Sequence, residues 1–252
     1  MAVLFAGLDH VVGLRQAGGA ADPDPVAFAS LAELAGAEGI SISLGRERGA
    51  GERDVRLLRE TVRTALNIRC PPREDWIKLA LALRPDMVTL APPEHEGLGL
   101  ERGLDIEDRR LELSPAIDGF KAAGIAVGVH VEALPAQVKA AQRAGVHAVV
   151  LHTGRLAAVA GGAEQGGEVE RLMNAAKVAH KLGLAVHAAG ALRYQTVGLL
   201  AEIPEIAAVH VGHGLVARAC LVGVAEAVRE LLRRIQGPGG WGGAGILRGG
   251  GR

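Results

Sequence analysis

The sequence predicts a single-domain (β/α)8 barrel followed by a glycine-rich tail. Three observations lead to this prediction: eight short apolar runs recur along the chain, segments with helical spacing separate them, and glycine turns follow the seventh and eighth runs. Nearly apolar strands that alternate with helices form a parallel sheet covered by helices. Eight such units in 252 residues favour a closed barrel. An open doubly wound sheet would carry its glycine-rich turn after the first strand, where this chain has GLDHVVGLRQ.

Each apolar run has the length and composition of a buried strand. In chain order the runs are VLFAGLD (3–9), ISISL (40–44), ALNIRC (65–70), DMVTLA (86–91), IAVGVHV (125–131), HAVVLHT (147–153), LAVHA (184–188) and AAVHVG (207–212). Amphipathic segments lie between the runs, and a long one, 214–235, follows the last. Glycine in AGAEGI, RAGVHA and HKLGLA separates a helix from the next strand, where a left-handed helix end requires it.

Two glycine-rich stretches are predicted to lie outside these regular elements. We expect residues 1–236 to form the barrel and residues 237–252 to be a flexible extension, because GPGGWGGAGILRGGGR cannot bury enough surface to order itself. Residues 155–167 are predicted to form a mobile loop after the sixth strand, on the rim where barrel active sites lie.

The composition argues against several classes of protein. The chain has 28 basic and 28 acidic residues and only 2% aromatic residues, which argues against a nucleic-acid partner. The apolar start lacks a basic leader, and no apolar run approaches the roughly 20 residues of a membrane span. Cys70 and Cys220 suggest buried free thiols, with a nucleophilic Cys70 as the alternative. The sequence therefore predicts a cytoplasmic protein without a membrane partner.

Two turns share one design of strand, glycine turn and helix. They are HAAGAL (187–192) and VHVGHGLVARA (209–219). Such a turn exposes backbone N–H groups at the positive end of a helix and favours an anion. Two of them on neighbouring strands predict one phosphate site and a ligand of sugar-phosphate size. Tight turning without a ligand is the alternative.

Histidines on the predicted strands are candidates for chemistry. If Gly212 faces the interior, so does His210, because side chains two apart along a strand share a face. His130, with Glu132 two residues on, and His187 would face the same space. Three interpretations are open for these histidines: hydrogen-bonded core or substrate-contact residues, metal-free acid–base catalysts, or ligands of a divalent metal.

Two further candidates lie at the ends of predicted strands. Asp9 and His10 follow the first strand and are predicted to act as an acid–base pair at the rim, with solvent-facing turn residues as the alternative. Arg69, at the end of the third strand, is predicted to clamp a second anion, with a salt bridge to a neighbouring carboxylate as the alternative.

Several long motifs in order resemble those of the pyridoxine 5'-phosphate synthase family. They are LDHVVGLR, DPDPVAFASLAELAGAEGISISL, RDVRLLRE, LNI, GLD at 103–105, LHTGR and VGHGLVARA, and the resemblance runs from about residue 4 to 235. It implies a (β/α)8 barrel, often oligomeric, that condenses 1-deoxyxylulose 5-phosphate with 3-amino-2-oxopropyl phosphate. The reaction releases inorganic phosphate and water and requires no metal.

The resemblance also implies roles for individual residues. Asp9, His10 and Arg15 match the family's first loop, where the arginine helps to hold substrate phosphate. His152, Thr153 and Gly154 match the HTG motif after strand six. Gly212 and His213 match the final phosphate turn, which continues into Gly214. These positions look like a binding frame for a phosphorylated substrate.

Other positions depart from the family pattern. The family's second strand carries a motif similar to H-L-R-E-D, and here Ser43 replaces its histidine and Gly45 its arginine. Arg69 stands where the family has an acid–base glutamate, and Val150 where it has the glutamate before HTG. On strand seven a motif similar to N-A-G-H-G becomes H-A-A-G-A, so that Gly190 replaces its histidine. These departures lie where the family's chemistry is implied.

The sequence thus predicts a divergent, homo-oligomeric relative of this synthase that binds a small phosphorylated metabolite and performs carbonyl condensation or elimination. The alternatives are a catalytically silent binding or regulatory homologue, a true synthase with relocated catalytic residues, and a metal-dependent enzyme. The predicted catalytic residues are Asp9, His10, His130 and His187. The predicted binding residues are Arg15, Ser43, Arg69, His152, Thr153, Gly154, Gly190, Gly212, His213 and Gly214. No cofactor and no metal are predicted, with His130, His187 and His210 as weak metal candidates.

Overall fold

The computed structural model describes residues 1–45, 50–92, 103–159 and 161–236. The chain forms a closed barrel of eight parallel strands in chain order, in which β1 also pairs with β8. The strands are β1 (Val3–Gly7), β2 (Gly39–Ser43), β3 (Ala65–Cys70), β4 (Met87–Leu90), β5 (Ala126–Val131), β6 (Ala148–His152), β7 (Ala185–Ala189) and β8 (Ile206–Val211). This topology confirms the predicted (β/α)8 barrel. The predicted tail, 237–252, lies outside the described residues.

Helices separate the strands and surround the barrel. They are α1 (Asp9–Gly18), α2 (Pro25–Leu34), α3 (Glu52–Thr61), α4 (Glu74–Leu83), α5 (Ile106–Ala122), α6 (Pro135–Arg143), α7 (Gly154–Ala158), α8 (Gly162–Lys181), α9 (Tyr194–Leu200), α10 (His213–Val222) and α11 (Val224–Gln236). In the described part of the chain, no helix combines the length and the apolar character needed to cross a membrane.

One expectation for these segments was wrong. The predicted loop 155–167 is largely helical, because Leu156 of α7 is buried and Arg155 pairs with Glu168 of α8 at 3.1 Å. Tertiary contacts therefore outweigh its glycines. The segment 214–235 is two helices, since Gly223 takes a left-handed φ of 80° and ends α10.

The barrel wall separates an outer apolar core from a small interior one. Aliphatic side chains on the outer face of the strands pack against the helices. A separate cluster of Met87, Ala148, Val150 and Ala189 fills part of the interior. Since residues two apart along a strand share a face, Thr89 and His152 also face the interior. The lining therefore becomes polar towards the carboxyl ends of the strands.

Candidate active site

Polar side chains gather inside the barrel towards the carboxyl ends of its strands. The strand sequences alternate outward aliphatic residues with inward polar ones, as in GISIS and AVGVHV. The inward polar residues include Ser43 on β2, Arg69 on β3, His130 on β5, His152 on β6, His187 on β7 and His210 on β8. Active sites of this fold lie at the same end of the barrel. The structure therefore brings together residues from six strands that sequence reasoning had identified separately.

Asp9 begins α1 directly after β1, and its carboxylate turns towards β2. The backbone N–H of Ser43 donates to Oδ1 at 2.6 Å, and the Ser43 hydroxyl donates to Oδ2 at 3.0 Å. Nη1 of Arg69 lies 3.6 Å from the same Oδ2, with both side chains less than a fifth exposed. The strand register sets Ser43 beside Arg69. Asp9 therefore anchors the ends of β2 and β3, and Arg69 has the carboxylate neighbour that its alternative interpretation expected.

Arg69 also begins a chain of nitrogen contacts across the barrel. Its Nη2 lies 3.5 Å from Nδ1 of His130, and Nε2 of His130 lies 3.3 Å from Nδ1 of His152. His130 is fully buried and His152 is 3% exposed. The two imidazole rings stand 5.2 Å apart, centroid to centroid. The contacts link β3, β5 and β6 through side chains up to 61 residues apart in sequence.

The surroundings of His130 keep its imidazole neutral. Burial lowers the pKa of His130 well below its ordinary value, and the charges of Arg69 and His152 lower it further. A neutral imidazole has one nitrogen that donates and one that accepts. His130 can therefore pass a hydrogen bond from one neighbour to the next.

A second imidazole pair lies on β7 and β8. Nδ1 of His187 is 3.0 Å from Nε2 of His210, and the Phe5 ring stacks on His210 with centroids 4.5 Å apart. Burial lowers the pKa of His187 to about 4. Burial also lowers the pKa of His210 well below its ordinary value, and the charges of His187, Arg69 and His130 lower it further. The second pair therefore lies within the electrostatic reach of the first.

The turn after β7 packs against the end of β6. Gly190 has a left-handed φ of 114°, and its carbonyl accepts a hydrogen bond from the Thr153 hydroxyl at 2.5 Å. A Cβ on Gly190 would lie 2.7 Å from Nδ1 of His152. The His152 ring thus occupies the space next to position 190. The adjacent Gly154 is buried at the start of α7.

The turn after β8 sits between the ends of β1 and β7. A Cβ on Gly7 would lie 2.9 Å from the Cα of Gly212, and one on Gly214 would lie 2.7 Å from the carbonyl oxygen of Leu192. Gly212 precedes α10, whose first residue is His213. The two glycine turns identified in the sequence are therefore neighbours, and small residues permit their close approach.

His10 and His213 lie at the surface beside this turn. Their ring centroids are 5.0 Å apart, and both residues are exposed. A Cβ on Gly212 would lie 3.3 Å from Nδ1 of His10. His10 therefore faces the last turn, whereas the carboxylate of its predicted acid–base partner, Asp9, is directed to Ser43.

Arg15 on α1 is paired with Asp54 on α3. Its Nη1 donates to Asp54 Oδ1 at 3.0 Å, and its Nη2 donates to Oδ2. This pairing raises the pKa of Arg15, chiefly through the hydrogen bond to Asp54. A cavity of about 540 Å³ adjoins the pair, and its lining includes Gly45 and Arg53. Sequence reasoning missed Asp54, although its place in the charged helix RDVRLLRE is visible in the sequence.

Two other sequence candidates have structural roles in the fold. Glu132 accepts a hydrogen bond from the backbone N–H of Gly103 at 3.1 Å. Burial raises the pKa of Cys70 to about 12, so that the thiol stays protonated and is a poor nucleophile. Cys220 is exposed on α10, and the prediction that it is buried was wrong because α10 turns this position to solvent.

The histidines divide into pairs in the structure. His130 contacts His152, and His187 contacts His210. In residues 1–45, 50–92, 103–159 and 161–236, no group of three or more histidine, cysteine, aspartate or glutamate side chains is arranged to hold a metal ion. The pairing with His152 was missed in the sequence, where His152 was considered only as a binding residue.

Comparison with known proteins gives matches along nearly the whole chain. The family described as "Pyridoxal phosphate biosynthesis protein PdxJ" matches residues 4–237. A pyridoxine 5'-phosphate synthase of Parasynechococcus marenigrum is 42% identical over 239 residues, which cover 94% of this chain and 96% of the relative. The enzyme of the same name from Syntrophobacter fumaroxidans is 42% identical over 94% of this chain and 100% of its own length.

Solved structures with the same fold are more distant in sequence. KGPDC from Streptococcus mutans matches with a TM-score of 0.62 and 15% identity, over 93% of this chain and 97% of its own. The 3-hexulose-6-phosphate synthase from Salmonella typhimurium matches with a TM-score of 0.60 and 17% identity, over 93% of this chain and 100% of its own. At such identities the likeness supports the barrel fold alone.

Proposed function

Because this chain belongs to the PdxJ family of pyridoxal phosphate biosynthesis proteins, we propose that it catalyses the synthesis of pyridoxine 5'-phosphate. The substrates would be 1-deoxyxylulose 5-phosphate and 3-amino-2-oxopropyl phosphate, and the other products would be inorganic phosphate and water. This is the alternative in which a true synthase uses relocated catalytic residues.

The observation that carries the proposal is the extent of the sequence match. Relatives named for this activity are 42% identical and align over 94% of this chain and at least 96% of their own length. Such a match favours the synthase over the divergent activity that the sequence analysis placed first, and over the catalytically silent homologue.

Phosphate binding would centre on the last glycine turn. The backbone N–H groups of Gly212, His213 and Gly214 begin a ten-residue helix, where the helix dipole favours an anion. Gly190, Thr153 and Gly154 lie on the neighbouring turns and would contribute further polar contacts. These residues support one phosphate position beside β7 and β8.

Arg15 would hold a phosphate farther round the rim. A guanidinium has five N–H donors, and the described bonds to Asp54 use one on each of two nitrogens. The adjoining cavity of about 540 Å³ falls in the size range of small-molecule sites. The ion pair with Asp54 would orient the remaining donors towards this space.

Neutral imidazoles would supply the acid–base chemistry. Ring closure needs several positioned acids and bases, each worth about 10² to 10⁴ in rate. His187 and His130 have lowered pKa values and are therefore neutral near pH 7. His187 would exchange the proton, and the fully buried His130 would act through its neighbours. His10 lies exposed beside the phosphate turn, within reach of a ligand. Asp9 would position Ser43 and Arg69, since its carboxylate already accepts from Ser43.

A second candidate function is condensation of a different pair of phosphorylated carbonyl compounds. The observation that favours it is Arg69, which places a cation in the barrel where the resemblance implies a glutamate. A cation there would favour a substrate with an additional anionic group. The residues proposed above to bind phosphate would serve both candidate functions.

An assay with the two family substrates tests the proposal. The purified protein is incubated with both, and pyridoxine 5'-phosphate formation and phosphate release are followed beside the Parasynechococcus marenigrum enzyme. Turnover comparable to that of the relative is expected. Saturable binding of either substrate without product would reject synthase activity and favour the silent homologue. Activity only with other phosphorylated carbonyl compounds would favour the second candidate function.

The assembly and location of the protein remain predictions. A homo-oligomer is proposed on the family resemblance, and light scattering of the purified chain measures it. The lack of a nucleic-acid partner is proposed on the balanced charge of the sequence. A cytoplasmic location stays an expectation of the sequence analysis.

A further inference from the structure

We propose that Arg69 fixes the tautomers of His130 and His152, so that His152 carries its proton on Nε2 and presents it as a hydrogen-bond donor to a carbonyl oxygen of the substrate. Arg69 and His130 would then be positioning residues, and His152 would be the residue that touches the substrate. The catalytic part of this inference rests on the proposed function, whereas the tautomers are a property of the protein alone.

The first step follows from the chemistry of arginine. A guanidinium has only N–H donors and stays protonated in proteins. Nη2 of Arg69 lies 3.5 Å from Nδ1 of His130, so that this nitrogen must be the acceptor of the contact. His130 therefore carries its single proton on Nε2.

The second step applies the same donor and acceptor assignment to the next ring, His152. Nε2 of His130 lies 3.3 Å from Nδ1 of His152. Because Nε2 of His130 is the donor, Nδ1 of His152 is the acceptor, and the proton of a neutral His152 is on its Nε2. Arg69 on β3 therefore sets the direction of both hydrogen bonds, through the fully buried imidazole of His130, as far as His152 on β6.

Two further observations support a neutral and rigid arrangement. Burial and the charge of Arg69 oppose protonation of His130, which would place a donor against a donor. The ring of His152 packs against the turn at Gly190, where a Cβ would lie 2.7 Å from its Nδ1. The ring is therefore held in place on the Nδ1 side.

A neutral imidazole donor suits the polarisation of a carbonyl. Its N–H stabilises negative charge that develops on a carbonyl oxygen without transferring the proton, as a neutral histidine does in other barrel enzymes. His152 lies at the end of β6, on the side of the barrel where substrates bind. The condensation of an amine with a carbonyl compound requires such polarisation. The residue was predicted from the sequence only as a part of the binding frame.

Nuclear magnetic resonance of protein labelled with ¹⁵N at histidine tests the tautomers directly. Two-bond proton–nitrogen correlations distinguish Nε2–H from Nδ1–H imidazoles, and the H152Q spectrum assigns His152 by the loss of its signals. At pH 7.5 the wild-type protein should show both His130 and His152 as neutral Nε2–H rings. An Nδ1–H ring or a protonated ring at either position would overturn the proposal.

Variants of Arg69 test the source of the direction. R69M should give mixed tautomers at His130 and His152, whereas R69K, which keeps a cationic donor, should retain the Nε2–H signals. Arg63→Met is the matched control, because Arg63 is exposed just before the same strand. Unchanged Nε2–H signals in R69M would remove Arg69 from the proposal, and the wild-type spectrum remains decisive even if R69M fails to fold.

Substitutions that mimic each nitrogen of His152 test the donor in catalysis. The amide nitrogen of H152Q can take the position of Nε2, whereas that of H152N takes the position of Nδ1. H152N should lower kcat about 10²-fold, the cost of removing one such donor, and H152Q should retain at least ten times the kcat of H152N. Equal loss in both variants would reject the donor role. An inactive wild-type protein with the expected tautomers would count against the proposed function and leave the Arg69 relay intact.

Discussion

Gly190 and His152 share one space at the mouth of the barrel: a Cβ on Gly190 would lie 2.7 Å from Nδ1 of the imidazole. The family resemblance implies a histidine at position 190, whereas this chain has a glycine there, and no side chain separates its backbone from the imidazole of His152. A change at position 190 is therefore coupled to the orientation of His152.

Gly190→Ala should destabilise the protein and disturb the His152 ring. Its φ of 114° is strained for any residue with a Cβ, which costs about 1 to 3 kcal/mol, and the collision with His152 adds to this cost. Urea unfolding measures the loss. Gly166→Ala is the control, because a Cβ there meets no atom within 4 Å and alanine favours the helix. Equal unfolding free energies for G190A and the wild type would contradict this prediction.

Gly214→Ala should weaken phosphate binding. The added Cβ would lie 2.7 Å from the carbonyl oxygen of Leu192, a backbone atom, so that α10 must move away from the turn after β7. Calorimetric titration with inorganic phosphate should show at least a tenfold rise in Kd. Gly119→Ala, a substitution in open space on α5, should bind phosphate as the wild type does. Similar Kd values for the two variants would reject the last turn as a phosphate site.

The fold was predictable from the sequence to a greater extent than the site was. All eight strands follow from apolar runs, because burial on both faces of a parallel barrel leaves a local pattern. The contacts between site residues leave no local pattern in the sequence, because the partners are far apart along the chain. Arg69 contacts His130 across 61 residues, and Arg15 contacts Asp54 across 39. His152 was identified through its HTG motif, but its contact with His130 depends on the barrel register. Glycines at 161 and 162 misled the prediction of a loop, because the burial of Leu156 depends on tertiary packing.

The stability of the protein should fall with decreasing pH below about 6.5, the ordinary pKa of histidine. The folded state holds His130, His187 and His210 with lowered pKa values. The unfolded chain therefore binds more protons, and the stabilisation present above pH 6.5 is lost as pH falls. The stabilisation that His187 contributes is lost as pH falls to its pKa in the folded state, which is about 4. Its contribution is at most about 1.4 kcal/mol for each pH unit.

Urea unfolding at pH 7.5, 6.0 and 5.0 measures this dependence. The slope of the unfolding free energy against pH should be positive over this range and smaller in His187→Asn. Asparagine keeps a polar group at this position but does not titrate. A stability that is constant from pH 7.5 to 5.0 would show that these histidines are not held neutral in the folded state.

Arg15→Gln should raise KM for the phosphorylated substrates more than Asp54→Asn does. Both variants break the pairing between α1 and α3, but only R15Q removes the guanidinium. The loss of one charged hydrogen bond costs about 1.5 to 3 kcal/mol, which corresponds to at least a tenfold rise in KM if Arg15 holds a phosphate. Steady-state kinetics of the two variants provide the comparison. Equal KM values would limit Arg15 to the structural pair.

Asp9→Asn should lower kcat far more than Ser43→Ala does. The Asp9 carboxylate accepts from both the backbone and the hydroxyl of Ser43 and lies 3.6 Å from Arg69. An amide in its place loses the negative charge and turns an N–H towards one of these donors, which leaves Arg69 misplaced for its contact with His130. S43A removes only the hydroxyl contact and keeps the backbone one. We expect a loss of about 10²-fold in D9N, comparable to one misplaced acid–base group, and less than tenfold in S43A.

The pH profile separates two roles for Asp9. If Asp9 is a general base, D9N should lack the acidic limb of the kcat/KM profile; if its carboxylate only positions its neighbours, D9N should lower kcat at every pH. Similar rates in D9N and the wild type would exclude both roles.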